Sequence, residues 1–239
     1  MKPDFSIRSA QSELMDTEKC TFEDFRACLR DLATVNSLTL AYRPTLQWFE
    51  RLYRQGRLSG GKPIRIVDVG SGYGDMLRRV STWAAKRGVT LQCTGVDMNP
   101  WSAKAAAAVK TAGAIDWVTA NAFSFMPESG ADIVICSLFT HHLSDAENVA
   151  LVKWMERVTT IGWFINDLHR HLLPYYVFRG AVALSSFHRF VKHDGPVSIA
   201  RSFIKKDWRE ILKQADVSAR IEWRFPFRLC VGRVKPYAV

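Results

Sequence analysis

Two groups of residues carry the chemistry of this chain. The first is Asp68 with Gly70, Gly72 and Gly74, followed by Asp97 at the end of the next apolar run. Glycines at alternate positions let main chain approach a ligand closely. A lone carboxylate can accept protons from two hydroxyls at once. Together they describe a site that grips the ribose of a nucleoside and lays its charged tail along backbone. The second group is Ser137-Leu138-Phe139-Thr140-His141-His142 with Asn166-Asp167-Leu168-His169-Arg170-His171. A histidine near neutral pKa can take a proton from a hydroxyl. Asp167 can orient such a histidine or stabilise the cation formed on it.

The glycine spacing separates two kinds of nucleotide site. A dinucleotide fingerprint, G-x-G-x-x-G, needs glycine at position 75, which is Asp75. No G-K-[ST] follows, so a Walker phosphate loop is excluded. The glycine pattern with Asp68 and Asp97 resembles class I S-adenosylmethionine-dependent methyltransferases of the small-molecule type, including those of ubiquinone and menaquinone biosynthesis.

The resemblance implies S-adenosyl-L-methionine as cofactor, bound by Asp68, Gly70, Ser71, Gly72, Tyr73 and Gly74, with the ribose on Asp97. It puts Met98 against the adenine, Asn121 (where Asp is more usual) at the adenine amino group, and Ala122, Ser137 and Leu138 along the cofactor. It places acceptor chemistry at His141, His142, Asp167 and His169 without choosing the base. The expected reaction is O-methylation of a small apolar phenolic, polyketide-like or quinone-like acceptor, as in secondary metabolism; C-methylation of a similar ring would use the same parts. Asn166-Asp167 is also similar to the metal ligands of catechol-type methyltransferases. Those enzymes add a carboxylate after the fourth strand, where this chain has Ser137-Leu138, so no metal is expected.

These groups need a scaffold of alternating strands and helices. Strands are expected at 64–69, 90–96, 115–120, 131–137 and 161–165, and helices at 75–86, from Asn99-Pro100 to 112, and from the capping box Ser144-Asp145-Ala146-Glu147. A helix at 207–215 and paired strands at 219–225 and 228–234 close the chain. The expected fold is α/β: a Rossmann-like, seven-stranded, mostly parallel sheet with an antiparallel last strand and helices on both faces. Residues 1–60 form a helical extension ending at the turn Ser59-Gly60-Gly61-Lys62-Pro63, and residues 61–239 the methyltransferase domain. An insertion at 172–204 holds Tyr175, Tyr176, Phe178, Phe187, Phe190, Phe203, His188 and His193. It is read as helical from 175 to 190, with a turn at Asp194-Gly195-Pro196. A lid over an apolar pocket and plain packing both suit it; peripheral membrane contact is a third reading, from flanking Arg179, Arg189 and Lys192.

Composition fits one α/β domain with elaborations: 239 residues, 48% of them hydrophobic. No run approaches the roughly 20 apolar residues of a membrane span, and the N-terminus lacks an apolar signal core. The five cysteines are scattered, without a C-x-x-C pair. They support neither a disulfide framework nor a zinc site, and a reducing cytoplasm follows. The net charge of +10 raises an RNA or protein methyltransferase as the alternative. Against nucleic acid, Lys and Arg are dispersed, with only short clusters at Arg78-Arg79, Lys205-Lys206 and Arg224 with Arg228. No N-P-P-[YF] motif follows the fourth strand either. A non-catalytic cofactor-binding protein is a third class, and the oligomeric state is left open.

Overall fold

Alternating apolar residues give each central strand two buried faces. Val67 and Val69 of β1 (Ile64–Val69) enter one core, while Ile64 and Ile66 enter the other. In this computed structural model, which describes residues 4–59, 61–128 and 130–237, six further strands join β1. They are β2 (Leu91–Asp97), β3 (Ile115–Thr119), β4 (Ala131–Ser137), β5 (Thr159–Leu168), β6 (Arg220–Arg224) and β7 (Arg228–Val234). The sheet order is β3-β2-β1-β4-β5-β7-β6. β1 to β5 are parallel, and β7 enters antiparallel between β5 and β6. This is the Rossmann-like arrangement expected from the sequence.

The helices are α1 (Leu14–Thr17), α2 (Phe22–Leu38), α3 (Arg43–Arg54), α4 (Asp75–Ala85), α5 (Pro100–Ala107), α6 (Asp145–Val158), α7 (Leu172–Ala183), α8 (Arg189–Arg201) and α9 (Lys205–Ala215). Leu151 and Met155 of α6 and Trp208 of α9 pack on one face of the sheet. Phe49 and Leu52 of α3, with Leu77 and Val80 of α4, pack on the other. Local chemistry sets the ends. Ser144 and Glu147 form the predicted capping box of α6, and Thr21 with Asp24 forms another on α2. Pro44 and Pro100 lie in first turns, where a missing N–H costs nothing.

Four expectations are corrected. β5 is longer than 161–165 because β7 pairs with Asn166, Asp167 and Leu168, holding polar residues extended that read as loop. α5 stops at Ala107, short of 112, with only Ser102, Ala105 and Ala106 buried. The insertion is two helices broken at 184–188, so 175–190 is not one helix. Asp194-Gly195-Pro196 lies inside α8 and makes no turn. Gly195 is there because α7 packs against it: a Cβ would meet Phe178 at 2.1 Å. Asp194 instead accepts the Leu14 and Met15 N–H groups at 2.8 and 3.0 Å, capping α1. Gly60, in the predicted turn before β1, lies outside the described residues.

The N-terminal segment is strapped across α8 and the end of β4. Ser9 N–H donates to Ala200 O at 3.0 Å. Arg8 donates to Arg201 O and Leu143 O, both at 2.8 Å. The buried Arg170 donates to Phe5 O, Ser202 O and Asp207. Among the described residues no helix is long and apolar enough to cross a membrane. All five thiols are free. Burial pushes those of Cys28, Cys93 and Cys230 up to about 12, as suits inert core residues.

Candidate active site

The carboxyl ends of parallel strands are where an open sheet binds ligands, and both sequence groups lie there. β1 runs into Gly70, Gly72 and Gly74, with φ of +68°, +50° and +72°. The Gly70 and Ser71 N–H groups share Val96 O at 2.9 and 3.1 Å, tying the loop to β2. A Cβ on Gly70 would lie 2.5 Å from Phe139, and one on Gly74 2.1 Å from Trp117, whereas Gly72 meets nothing within 4 Å. Gly72 is thus the open face of the loop. Asp97 ends β2 beside it, accepting the N–H of Gly72 at 2.8 Å and of Asn99 at 2.9 Å.

Electrostatics says what the loop lacks. Asp68 is 2% exposed and its Oδ1 has no partner. Burial, then the charges of Asp75 and Asp97, push its carboxyl well above the usual range. The Tyr42 hydroxyl donates to Asp75, with the Arg79 guanidinium 4.0 Å above the ring. Three carboxylates around a glycine loop, one unpartnered, fit a cationic ligand, and the expected cofactor carries a sulfonium and an ammonium.

The remaining predicted cofactor residues are placed unevenly. Met98 is 73% exposed beside Asp97, free to cover a ring. Ser71 is buried, and Tyr73 packs toward Phe25 of α2 and Trp101 of α5. Ala122 is buried in the core, and Asn121 spends its side-chain oxygen on the Phe123 N–H at 2.9 Å. Ser137 Oγ is buried without a partner, and Leu138 sits at φ +55°.

The acceptor rim is built on a short 3₁₀ turn, Thr140–His142. Asn148 fixes it by donating to the carbonyls of Thr140, Leu143 and Ser144. His141 is buried with Nδ1 2.8 Å from Asp167 Oδ1. Asp167 also accepts from Thr140 Oγ1 at 2.5 Å and from the N–H groups of His141 and Leu168. Burial raises the Asp167 carboxyl, but His141 and these donors outweigh it and hold the group well below the usual carboxylate range. His142 turns to Asp16, 3.2 Å from Nδ1. Burial lowers its pKa, but the Asp16 hydrogen bond and the charges of Glu13 and Asp16 leave it raised. His169 does not join this pair. It stacks with His171 and Phe227, and burial, then His171, Arg170 and Lys205, lower its pKa. Asn166 turns away, donating to Ala41 O and Thr45 Oγ1 at 2.7 and 3.0 Å.

Three residues to which the sequence assigned no role of their own belong here. Glu13, 3% exposed, lies 3.7 Å from Nε2 of both His141 and His142. Thr140 donates to Asp167. Arg228 opens β7 and is 3% exposed, with one hydrogen bond, Nη2 to Thr39 Oγ1 at 3.0 Å. Its Nε and Nη1 have no partner. Burial lowers its pKa to about 10, against the opposing pull of Asp167. Of the buried side-chain groups without partners, Asp68, Ser137, His169 and Arg228 all stand at this end of the sheet. Two surface clefts, one along α9 with β6 and one between α3 and strands β6 and β7, contain none of these residues.

Residues 66–162 match a family model described as a methyltransferase domain. No curated protein matches the chain. Solved structures with similar folds include the plantazolicin methyltransferase BpumL in complex with SAH. It is 12% identical with TM-score 0.64, the match covering 89% of this chain and 95% of that one. The magnesium protoporphyrin IX methyltransferase (ChlM) from Synechocystis PCC 6803 with bound SAH is 14% identical with TM-score 0.54, covering 83% of each. The plantazolicin methyltransferase BamL, in complex with a triazolic desmethylPZN analog and SAH, is 14% identical with TM-score 0.60, covering 85% and 79%.

Proposed function

We propose that the chain is a class I S-adenosylmethionine-dependent methyltransferase and that it methylates an oxygen of a small, largely apolar aromatic acceptor. The observation that carries this reading is the buried Asp167–His141 pair at the carboxyl ends of β4 and β5. With Nδ1–H donating to Asp167, His141 keeps the Nε2 lone pair. That nitrogen takes the acceptor's hydroxyl proton once Glu13 has moved aside, and Asp167 stabilises the imidazolium. When bound, the cofactor supplies a methyl group on a sulfonium, whose C–S bond gives its electrons to sulfur as oxygen bonds to carbon. The glycine loop, Asp68 and Asp97 would hold the donor in line with an acceptor at the histidine rim. The similar structures hold SAH and are named for plantazolicin and magnesium protoporphyrin IX, which supports this donor and a metabolite acceptor.

Asp68 makes a testable trade. A carboxyl whose pKa is raised by folding costs stability as pH rises above its ordinary value of about 3.8. Asp68→Asn is expected to raise the unfolding free energy at neutral pH by about 1–2 kcal/mol for a group of this kind, read as a higher urea midpoint. The same change should weaken S-adenosylmethionine binding at least tenfold. A variant less stable than the parent at pH 7 and unaltered in affinity would refute the assignment.

Arg228 supports an acceptor with an oxyanion or polarised carbonyl beside the reacting hydroxyl. β4 and β5 separate its strand from β1, so it starts about 14 Å from the Asp68 strand at three strand spacings. That distance favours the acceptor over the donor's amino-acid end. Arg228→Met is expected to raise acceptor KM at least tenfold and leave SAH affinity unchanged by calorimetry. The overall reading is tested by labelled methyl transfer to panels of phenols, quinones, RNA and protein. Label in RNA or protein, and none in phenols, would replace it.

A further inference from the structure

Glu13, His141 and His142 come from two distant segments, yet offer ligand atoms that all lie within 4.8 Å of one another. Both imidazoles have Nδ1 fixed by a carboxylate, His141 on Asp167 at 2.8 Å and His142 on Asp16 at 3.2 Å. Both therefore present Nε2 to the same Glu13 carboxylate, His141 at 3.7 Å from Oε1 and His142 at 3.7 Å from Oε2. Carboxylate-held imidazoles facing a third ligand are the outer-shell arrangement of metal sites. With metal–ligand bonds of about 2.0–2.2 Å, tetrahedral ligand atoms stand about 3.4 Å apart, so each 3.7 Å nitrogen–oxygen separation closes by a few tenths of an ångström, within a triad that already spans no more than 4.8 Å. Charge points the same way. Asp16, Asp167 and Glu13 are opposed by Arg201, 3.9 Å from Glu13, and by the buried Arg228 that Asp167 attracts, while Arg8 is paired with Asp145. With neutral imidazoles the cluster keeps a net negative charge, which a bound cation offsets.

We propose that Glu13, His141 and His142 bind one divalent transition-metal ion of the zinc, cobalt or nickel kind, which latches the N-terminal segment over the acceptor rim. Two imidazoles with one carboxylate suit these ions better than calcium or magnesium. Ser198 Oγ, donating to Glu13 Oε1 at 2.8 Å, orients the third ligand. The metal takes the Nε2 lone pair that would accept the acceptor's proton, so an occupied latch stops turnover. That consequence rests on His141 as the base; metal binding itself does not.

Cobalt(II) titrated into the metal-free full chain is expected to give visible d–d bands of a four- or five-coordinate site, saturating at one ion per chain. Asp16→Asn should weaken binding about 10–100-fold. Glu13→Gln should lose at least as much, and SAH binding checks that each variant is folded. Zinc should inhibit labelled methyl transfer by the parent, reversibly with chelator, while Glu13→Gln, compared with its own zinc-free rate, should need at least tenfold more zinc. Absence of the bands, bands undiminished in Glu13→Gln, or equal zinc inhibition of that variant would each overturn the proposal. If no acceptor is methylated, the cobalt titration still decides the metal site.

Discussion

Asp97→Ala is expected to weaken S-adenosylmethionine and SAH binding by about 10²–10⁴-fold, from two hydroxyl bonds to a carboxylate worth about 1.5–3 kcal/mol each. The loss has a second source. Asp97 accepts the N–H groups of Gly72 and Asn99, so alanine also loosens the open face of the glycine loop. Asp97→Asn separates the two effects, keeping one acceptor oxygen for the loop and losing the charge. Calorimetry with SAH is the measurement. Parent-like affinity in Asp97→Ala would sink the ribose assignment, whatever the fold.

His141→Gln should lower turnover about 10²–10⁴-fold, the range for a lost general base, with SAH affinity within twofold of the parent. Glutamine keeps a donor for Asp167, so the buried carboxylate is not stranded. His142→Ala should do less, because His142 faces Asp16 and Glu13 and makes no bond to Asp167. Full turnover in His141→Gln, measured by labelled methyl transfer, would remove His141 from the chemistry and leave the Asp167 pair a structural one.

The glycine loop and its place beside Asp97 were legible because their logic is local. Gly70 to Gly74 must turn a buried strand into α4, and Asp97 ends the neighbouring strand, so spacing alone set them side by side. Ser144 and Glu147 were legible for the same reason. The acceptor half depends on contacts between segments far apart. Nothing near Glu13 announces that it will lie against His141, and the strap that carries it is held by Arg8 and Arg170 through backbone carbonyls. Arg228 read as one of a short basic cluster with Arg224; it is buried because β7 slots between two strands. Asn166 and Asp167 looked like loop because polarity hid a strand that only its antiparallel partner reveals. Asp194-Gly195-Pro196 has turn composition, but helix–helix approach and a cap on α1 account for its residues.

Trp117 lies across both Gly74 and Gly95, where added Cβ atoms would meet its ring at 2.1 and 2.5 Å. These three positions are therefore not free to drift one at a time. While an indole stands at 117, alanine at 95 is closed by overlap alone, since Gly95 has an ordinary φ. A smaller residue at 117 would reopen that route first. Gly74 stays constrained even then, because its φ of +72° is a backbone requirement that no neighbour can lift. The order of change is thus set: 117 before 95, and 74 last if at all.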